Sequence, residues 1–378
     1  AALDMARSLR AAGLEPHLAD CSPAWVARLS RTAGPVHRYA SPVERPTAFA
    51  RDIRDLIARL DPVCVIPTCE EVFHLAALAG ADGVSDRLFA PSFDRLATLH
   101  AKDRFAALCR DLNLPVPETT LVDSPAALMA ATGASADVVV KPVWSRFGAR
   151  TLVAPGPDLL AAVTPSSDTP WVVQRRVLGE EVSFYAVCRQ GRVVAFAAYG
   201  SDWRLPGGAS YAFHPLRPDQ TAKLWPMATT LAAFAGTGQI ACDAIMDADG
   251  QPWLIECNPR ATSGVHHFGR SANFGRALTG RGEAEPVGGA RHVALALWRY
   301  GLPAALREER RADWWVQRRD GADVVTAPGD PLPCLGLQVD AAVFGFRALR
   351  TGRSLTAAMT ADIEWNGRPY NAAMWRSI

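Results

Sequence analysis

Apolar residues in the first part of the chain recur at helical spacing and then gather in short unbroken runs. ALDMARSLRAAG (2–13) keeps its apolar residues on one face and closes at Gly13, a residue type that stops helices. EPHLAD (15–20) follows as a short strand, and PTAFARDIRDLIARLDP (46–62) is helical again. VCVIPT (63–68) is nearly all apolar and predicts a buried strand; EEVFHLAALAG (70–80) returns to helical spacing. Helices alternating with short apolar strands predict a parallel sheet covered on both sides. A unit that opens on a helix is expected to lack its first strand. This small α/β domain is expected over residues 1–95.

Beyond it the pattern becomes mixed. AKDRFAALCRDLN (101–113) predicts a helix, LPVPET (114–119) is broken by proline, and DSPAALMAATG (123–133) predicts a helix capped by Asp or Ser. ADVVVKP (136–142) predicts a strand. Residues 169–200 alternate as two or three antiparallel strands, with Gln190-Gly191 as a turn, and 217–236 form a long helix. GQIACDAIMDADGQPWLIECNPR (238–260) predicts a hairpin. From about residue 285 the chain is expected to be mostly helical.

The hairpin brings chemistry together. Asp-Gly favours a two-residue turn, because that turn needs positive φ. Counting outward from Asp249-Gly250 sets Asp243 directly opposite Glu256, with Asn258 on the same face as Glu256. Facing carboxylates repel, so a compensating cation is expected. Magnesium suits two carboxylates and an amide oxygen; two carboxylates in water at a strand end are the plainer alternative. Cys242 and Cys257 fall on the opposite face and read as core.

Composition narrows the function classes. At 378 residues the chain should hold two or three domains, and 49% hydrophobic with 21% charged residues is ordinary globular material. A net charge of +2 offers no basic surface for nucleic acid. Eight cysteines without a CxxC pair argue against structural zinc and fit a reduced, cytoplasmic setting. No apolar run approaches the roughly 18 residues of a membrane span. WRYGLPAALREERRADWWVQRR (298–319) interleaves aromatic and basic residues; a helix packed on the domain explains it better than a membrane surface. Lysine is scarce: only Lys102, Lys141 and Lys223 occur among 40 basic residues. A slim flexible ammonium reaches between phosphates where a planar guanidinium fork does not.

Lys102 in AKDRF, Lys141 after a valine run, QRRVLGEE and a strand ending IECNPR occur in that order. Together they resemble the ATP-grasp superfamily of ligases, nearest its carbamoyl-phosphate-synthase-like and D-alanine-ligase-like branches. The resemblance runs from about Ala97 to Ser271. It implies an α/β and α+β chain: an N-terminal parallel α/β domain (1–95), a two-part core (96–180 and 181–284) and a mostly helical C-terminal extension (285–378). It further implies that Lys102 and Lys141 meet phosphates and that Ser145 and Gly148 lie in the phosphate loop. Gln174 and Val177 would contact adenine, and Glu181 the ribose. Asp243, Glu256 and Asn258 would hold Mg2+ or Mn2+, and Arg260 would steady the transferring phosphoryl group. The loop WSRFGA departs from the family pattern in having one glycine where two or three are usual.

The activity so implied is ATP-dependent joining of a small-molecule carboxylate to an amine through an acylphosphate. Arg204, with Ser263 and His266, is a candidate for the acceptor side. His266 also reads as a structural histidine. Glu70 and Glu71 could meet an amine, or simply form an acidic helix start. The partners expected are small molecules and, in a homodimer, a second copy; nucleic acid and membrane are not expected. Two alternatives share the fold: a non-catalytic ATP-binding regulator and a small-metabolite phosphotransferase.

Overall fold

The computed structural model describes residues 1–82, 84–133, 137–146, 150–205, 209–368 and 370. The first helix, Ala2–Ala11, ends ahead of Gly13 at φ +80°. Strands β1 (Leu18–Asp20) and β2 (Val36–Arg38) pair in parallel, and helices Pro46–Leu60 and Glu71–Asp82 follow. VCVIPT is not a strand: Val65 makes only an isolated parallel bridge to Leu88. Its apolar side chains Cys64 and Ile66 instead pack against the core of the large sheet.

Two further sheets form the centre. One has four strands in the order β3 (Thr119–Val122), β6 (Trp171–Arg175), β4 (Val138–Pro142), β5 (Leu152–Val153). The other has seven, in the order β11 (Pro252–Asn258), β10 (Gly238–Met246), β7 (Glu180–Arg189), β8 (Arg192–Arg204), β9 (Ser210–Pro215), β12 (Arg291–His292), β13 (Ala322–Asp323). The β7–β8 turn uses Gln190 and Gly191 at φ 49° and 79°, as Gln-Gly in a two-residue hairpin requires. β12 and β13, from the stretch read as mostly helical, extend this sheet.

The seven-stranded sheet is apolar on both faces. On one, Phe184, Ala186, Phe196, Ile240 and Cys242 bury the helix Pro218–Ala235 through Leu224, Ala228 and Leu231. Cys242 and Cys257 belong to this core, as the alternation implied. On the other, Tyr185, Ala197, Tyr199 and Ala241 pack Val265, Phe268 and Phe274. The polar site described next opens on this second face, beyond the edge of that core.

The longest helix beyond the large sheet is Pro333–Thr351. It lies against the short helix Trp25–Arg28, where Asp340 accepts from the backbone N–H groups of Trp25 and Val26 at 2.9 and 2.8 Å. Gly336 makes the close approach feasible, since a Cβ there would stand 2.3 Å from the Trp25 carbonyl oxygen. None of the helices among the described residues is long and apolar enough to cross a membrane.

Candidate active site

The hairpin puts Asp243 opposite Glu256, but by a different route from the one the sequence suggested. The turn is one residue longer: Met246 pairs with Pro252, Asp247 N donates to Gln251 O at 3.0 Å, and Gly250 adopts φ 72°. A bulge at Ile255, between the pairs Ala244–Leu254 and Asp243–Glu256, absorbs the offset. The pairing continues through Ser183 of β7 to Tyr199 of β8, so Glu256, Asp243, Ser183 and Tyr199 form one row across four strands.

Lys141 Nζ donates to the carbonyl of Ile255, the bulged residue, at 3.1 Å. Lys102, the first residue of the helix Lys102–Asp111, donates to the carbonyls of Val143 and Ser145 at 3.4 and 3.3 Å. Its ammonium also stands 3.7 Å from Glu256 Oε2. Each lysine is only 4% exposed. Burial pulls Lys141 down to about 8 despite the nearby Glu256, and it lowers Lys102 as well. Two cations are thus held out of water beside a small acidic pair, which prepares the site for an anion.

The acidic pair divides its charge. Burial, and then the Glu256 carboxylate, push Asp243 up to about 7. Glu256 goes the other way: burial opposes its ionisation, but Lys102 and Lys141 outweigh it. Ser183 Oγ donates to Asp243 Oδ1 at 2.6 Å. Facing oxygens that ionise one at a time fit a divalent cation, which would favour both carboxylates in their charged form. Asn258 would supply an amide oxygen as third donor; that Oδ1 now accepts from Arg260 Nη2 at 3.3 Å. No cluster of three or more His, Cys, Asp or Glu side chains suited to a metal occurs among the described residues.

Arg260 does not pair with Glu256. Its Nε donates to Glu70 Oε1 at 3.1 Å, and Arg146 Nη2 lies 2.8 Å from Glu70 Oε2. Burial would raise the Glu70 pKa, yet His100, Arg146 and Arg260 hold it well below the usual carboxylate range. Glu70 is therefore engaged by two guanidiniums and not free for an amine. Glu71 accepts from the N–H groups of Thr68 and Cys69 at 2.7 and 3.0 Å, closing the turn before its helix.

The remaining sequence candidates take the following positions. Gln174 of β6 is buried and donates from Nε2 to Thr119 Oγ1 at 2.9 Å. Val177 lies half-buried in the link between β6 and β7. Ser145 is half-buried, with Oγ 3.4 Å from Pro142 O. Glu181, read for the ribose, and Arg204, read for an acceptor carboxylate, face each other as an ion pair. His266 is structural, with Nδ1 2.7 Å from Asp4 Oδ2, and Ser263 opens a short 3-10 turn. Gly148 lies outside the described residues. Sequence reasoning missed Ser183, Tyr199, Arg146 and the fixing role of Glu70. Ser183 and Tyr199 could have been found by extending the hairpin register to the next two strands.

No known family model matches the sequence. Solved structures do resemble it. N5-carboxyaminoimidazole synthetase from Staphylococcus aureus has 13% identity and a TM-score of 0.60, covering 82% of this chain and 83% of its own. L-amino acid ligase from Bacillus licheniformis has 16% identity and a TM-score of 0.55, covering 73% and 78%. The biotin carboxylase domain of 2-oxoglutarate carboxylase from Hydrogenobacter thermophilus, a dimer with MgADP, ADP and bicarbonate, has 13% identity and a TM-score of 0.60, covering 76% and 70%. Identities this low speak for the fold alone. A four-stranded sheet carrying Lys141 meets a seven-stranded sheet carrying Asp243 and Glu256, in the architecture shared with these ligases and carboxylases: the chain has the ATP-grasp fold.

Proposed function

We propose that the protein is an ATP-dependent ligase that activates a small-molecule carboxylate as an acylphosphate and joins it to an amine, releasing ADP and phosphate. The observation that carries this reading is the convergence of buried Lys102 and Lys141 on the Asp243–Glu256 pair. A carboxylate is a poor electrophile until one of its oxygens is phosphorylated; the amine then attacks the acyl carbon and that oxygen leaves with the phosphate. Moving the γ-phosphoryl group needs positioning and charge neutralisation more than a protein nucleophile.

The lysine ammoniums would bind phosphate oxygens, Lys102 near the mouth of its loop and Lys141 between the two sheets. Ser145 and Gly148 would line that loop. Gln174 and Val177 would take the adenine, and Glu181 the ribose hydroxyls once Arg204 releases it. Asp243, Glu256 and Asn258 would hold Mg2+ or Mn2+, which when bound neutralises phosphate charge. Arg260, fixed by Glu70, would lie along the transferring phosphoryl group. Arg204, freed from Glu181, would turn its fork to the acceptor carboxylate. The partners are then small molecules, with a homodimer and a cytoplasmic setting as parts of the same proposal. The working units would be residues 1–95, 96–180, 181–284 and 285–378.

The test is release of ADP and phosphate from Mg·ATP, measured with pools of amino acids and other carboxylates and amines. Turnover that depends on both a carboxylate and an amine is expected. Product masses distinguish ligation from simple phosphorylation of a metabolite. One observation favours a second reading, a nucleotide-binding regulator without turnover: Glu181 is already occupied by Arg204. ATP binding by calorimetry with no turnover on any pool would support it.

A further inference from the structure

Arg146 stands in the phosphate loop, where the ATP-grasp pattern favours glycine, and its guanidinium is almost wholly buried. One side meets Glu70, at 2.8 Å. The other meets the far end of the chain: Nη1 donates to Asn366 Oδ1 at 2.9 Å and lies 3.6 Å from Glu364 Oε2, while Nη2 donates to the Trp365 carbonyl. Glu70 in turn holds Arg260, and Arg260 reaches Asn258. An unbroken series of charged contacts therefore runs from a candidate metal ligand to a segment more than a hundred residues later in sequence.

That segment is firmly seated. The Trp365 ring lies between Phe73 and Trp144, each 4.8 Å away by ring centroid. Gly367, at φ 78°, passes beneath Trp144, where a Cβ would come within 2.3 Å of the indole nitrogen. Just upstream, Ser41 Oγ donates to Asp362 O at 2.8 Å, and Arg347 pairs with Asp362 at 2.6 Å. On the loop side, the two carbonyls that accept from Lys102, those of Val143 and Ser145, flank Trp144. Lys102 thus holds the carbonyls on either side of Trp144, the residue against which the C-terminal segment packs.

We propose that Arg146 is a positioning residue for phosphoryl transfer: it fixes Arg260 through Glu70, and Glu364–Gly367 form its anchor, so the C-terminal segment is a working part of the nucleotide site. The proposal rests on the ligase reading for its chemistry but not for its geometry. A buried fork with fixed ends on both sides sets the angle of its neighbours, which one point charge cannot do. Small displacements of a phosphoryl-stabilising group cost roughly a hundredfold in rate.

Two measurements on the full chain test it. The first is turnover and ATP affinity of Arg146→Lys, Arg146→Ala and Gly367→Ala, each checked for folding by thermal melting. Expected is a fall in kcat of roughly ten- to a hundredfold with ATP affinity changed less than about threefold, and partial rescue by Lys relative to Ala. Folded variants that turn over normally would overturn the proposal and leave the contacts as packing alone. The second measurement is independent of turnover: amide hydrogen exchange with Mg·ADP as the probe. Nucleotide should protect residues 362–368 along with 141–146 in the wild type, and only 141–146 in Arg146→Ala. Coupled protection without any ligase turnover would overturn the ligase reading and the positioning role together, and keep only the anchoring of the nucleotide site by the C-terminal segment. Protection of 141–146 alone in the wild type would overturn the anchor, and absence of nucleotide binding would overturn both.

Discussion

Lys141 lies next to the end of its strand, with its ammonium on the carbonyl of the bulged residue Ile255. An arginine there must fit a wider, planar head into the same buried gap. Lys141→Arg is expected to keep the fold and lose roughly a hundredfold or more in ATP turnover, read from ADP release at saturating ATP. Asp243 faces a different constraint, since its charge is resisted by burial and by Glu256. Asp243→Asn removes that repulsion and keeps an oxygen for Ser183. The variant should melt at or above the wild-type temperature without magnesium, yet gain nothing when magnesium and ATP are added, where the wild type gains several degrees. A melt that responds to Mg·ATP as the wild type does would remove Asp243 from the metal set. Both residues were legible in the sequence, one by lysine scarcity and one by hairpin register. Arg146 was not, because it acquires its role from partners far away in sequence, Glu364 and Asn366.

At the scale of elements, the β10–β11 hairpin is the instructive case. A two-residue turn and a regular ladder were expected; a longer turn and a bulge occur, and the two offsets cancel at Asp243–Glu256. Alternation predicts which residues share a face, but it cannot reveal an inserted residue. Ile255, the extra residue of the bulge, also supplies the carbonyl that Lys141 uses. Gly250 carries the turn at φ 72°, with Lys223 Nζ donating to its carbonyl at 2.7 Å. Gly250→Ala should cost about 1 kcal/mol of stability, measured by denaturant unfolding, because a side chain is strained there. ATP affinity should be unchanged, since the bulge sets the site's register independently of the turn. VCVIPT shows the converse limit: an apolar run marks burial, and whether it joins a sheet depends on an edge supplied elsewhere.

Over the whole molecule, the ends of the chain are joined by buried charge. Arg7 of the first helix pairs with Asp4 at 3.3 Å and with the wholly buried Asp330 at 2.8 Å, and Asp4 also holds His266. Arg7→Ala would take the cation from buried Asp330, leaving it only hydrogen bonds from Ser30, Arg31 and Thr32, and should cost about 3–5 kcal/mol, seen as a lowered melting temperature. This tie was illegible in the sequence, since its partners lie more than 300 residues apart. Acid should weaken the fold through its buried histidines. Burial pulls His74 and His100 down to about 4 and His267 to about 3, against an ordinary value of 6.5. Below 6.5 the unfolded chain therefore binds more protons than the folded one, so stability present at neutral pH is lost as pH falls toward 4. The His267 ring nitrogens have no hydrogen-bond partner among the described residues, and the ring stacks on Tyr199 with centroids 5.4 Å apart. His267→Phe should keep that contact and flatten the fall of melting temperature between pH 7 and pH 5; an unchanged slope would remove His267 from the set.

The central claim is that this fold passes the γ-phosphoryl group of ATP to a carboxylate, and the most direct measurement of it is positional isotope exchange. ATP carrying an oxygen-18 label in the β–γ bridge is incubated with the protein, magnesium and pooled carboxylates that carry no amine, so that no nucleophile consumes the acylphosphate. Reversible acylphosphate formation should scramble the bridge label into the β-phosphate's non-bridging positions, only when a carboxylate is present and not in Lys141→Arg. Bound ATP whose label stays in place across every carboxylate pool, with no ADP released, would contradict it.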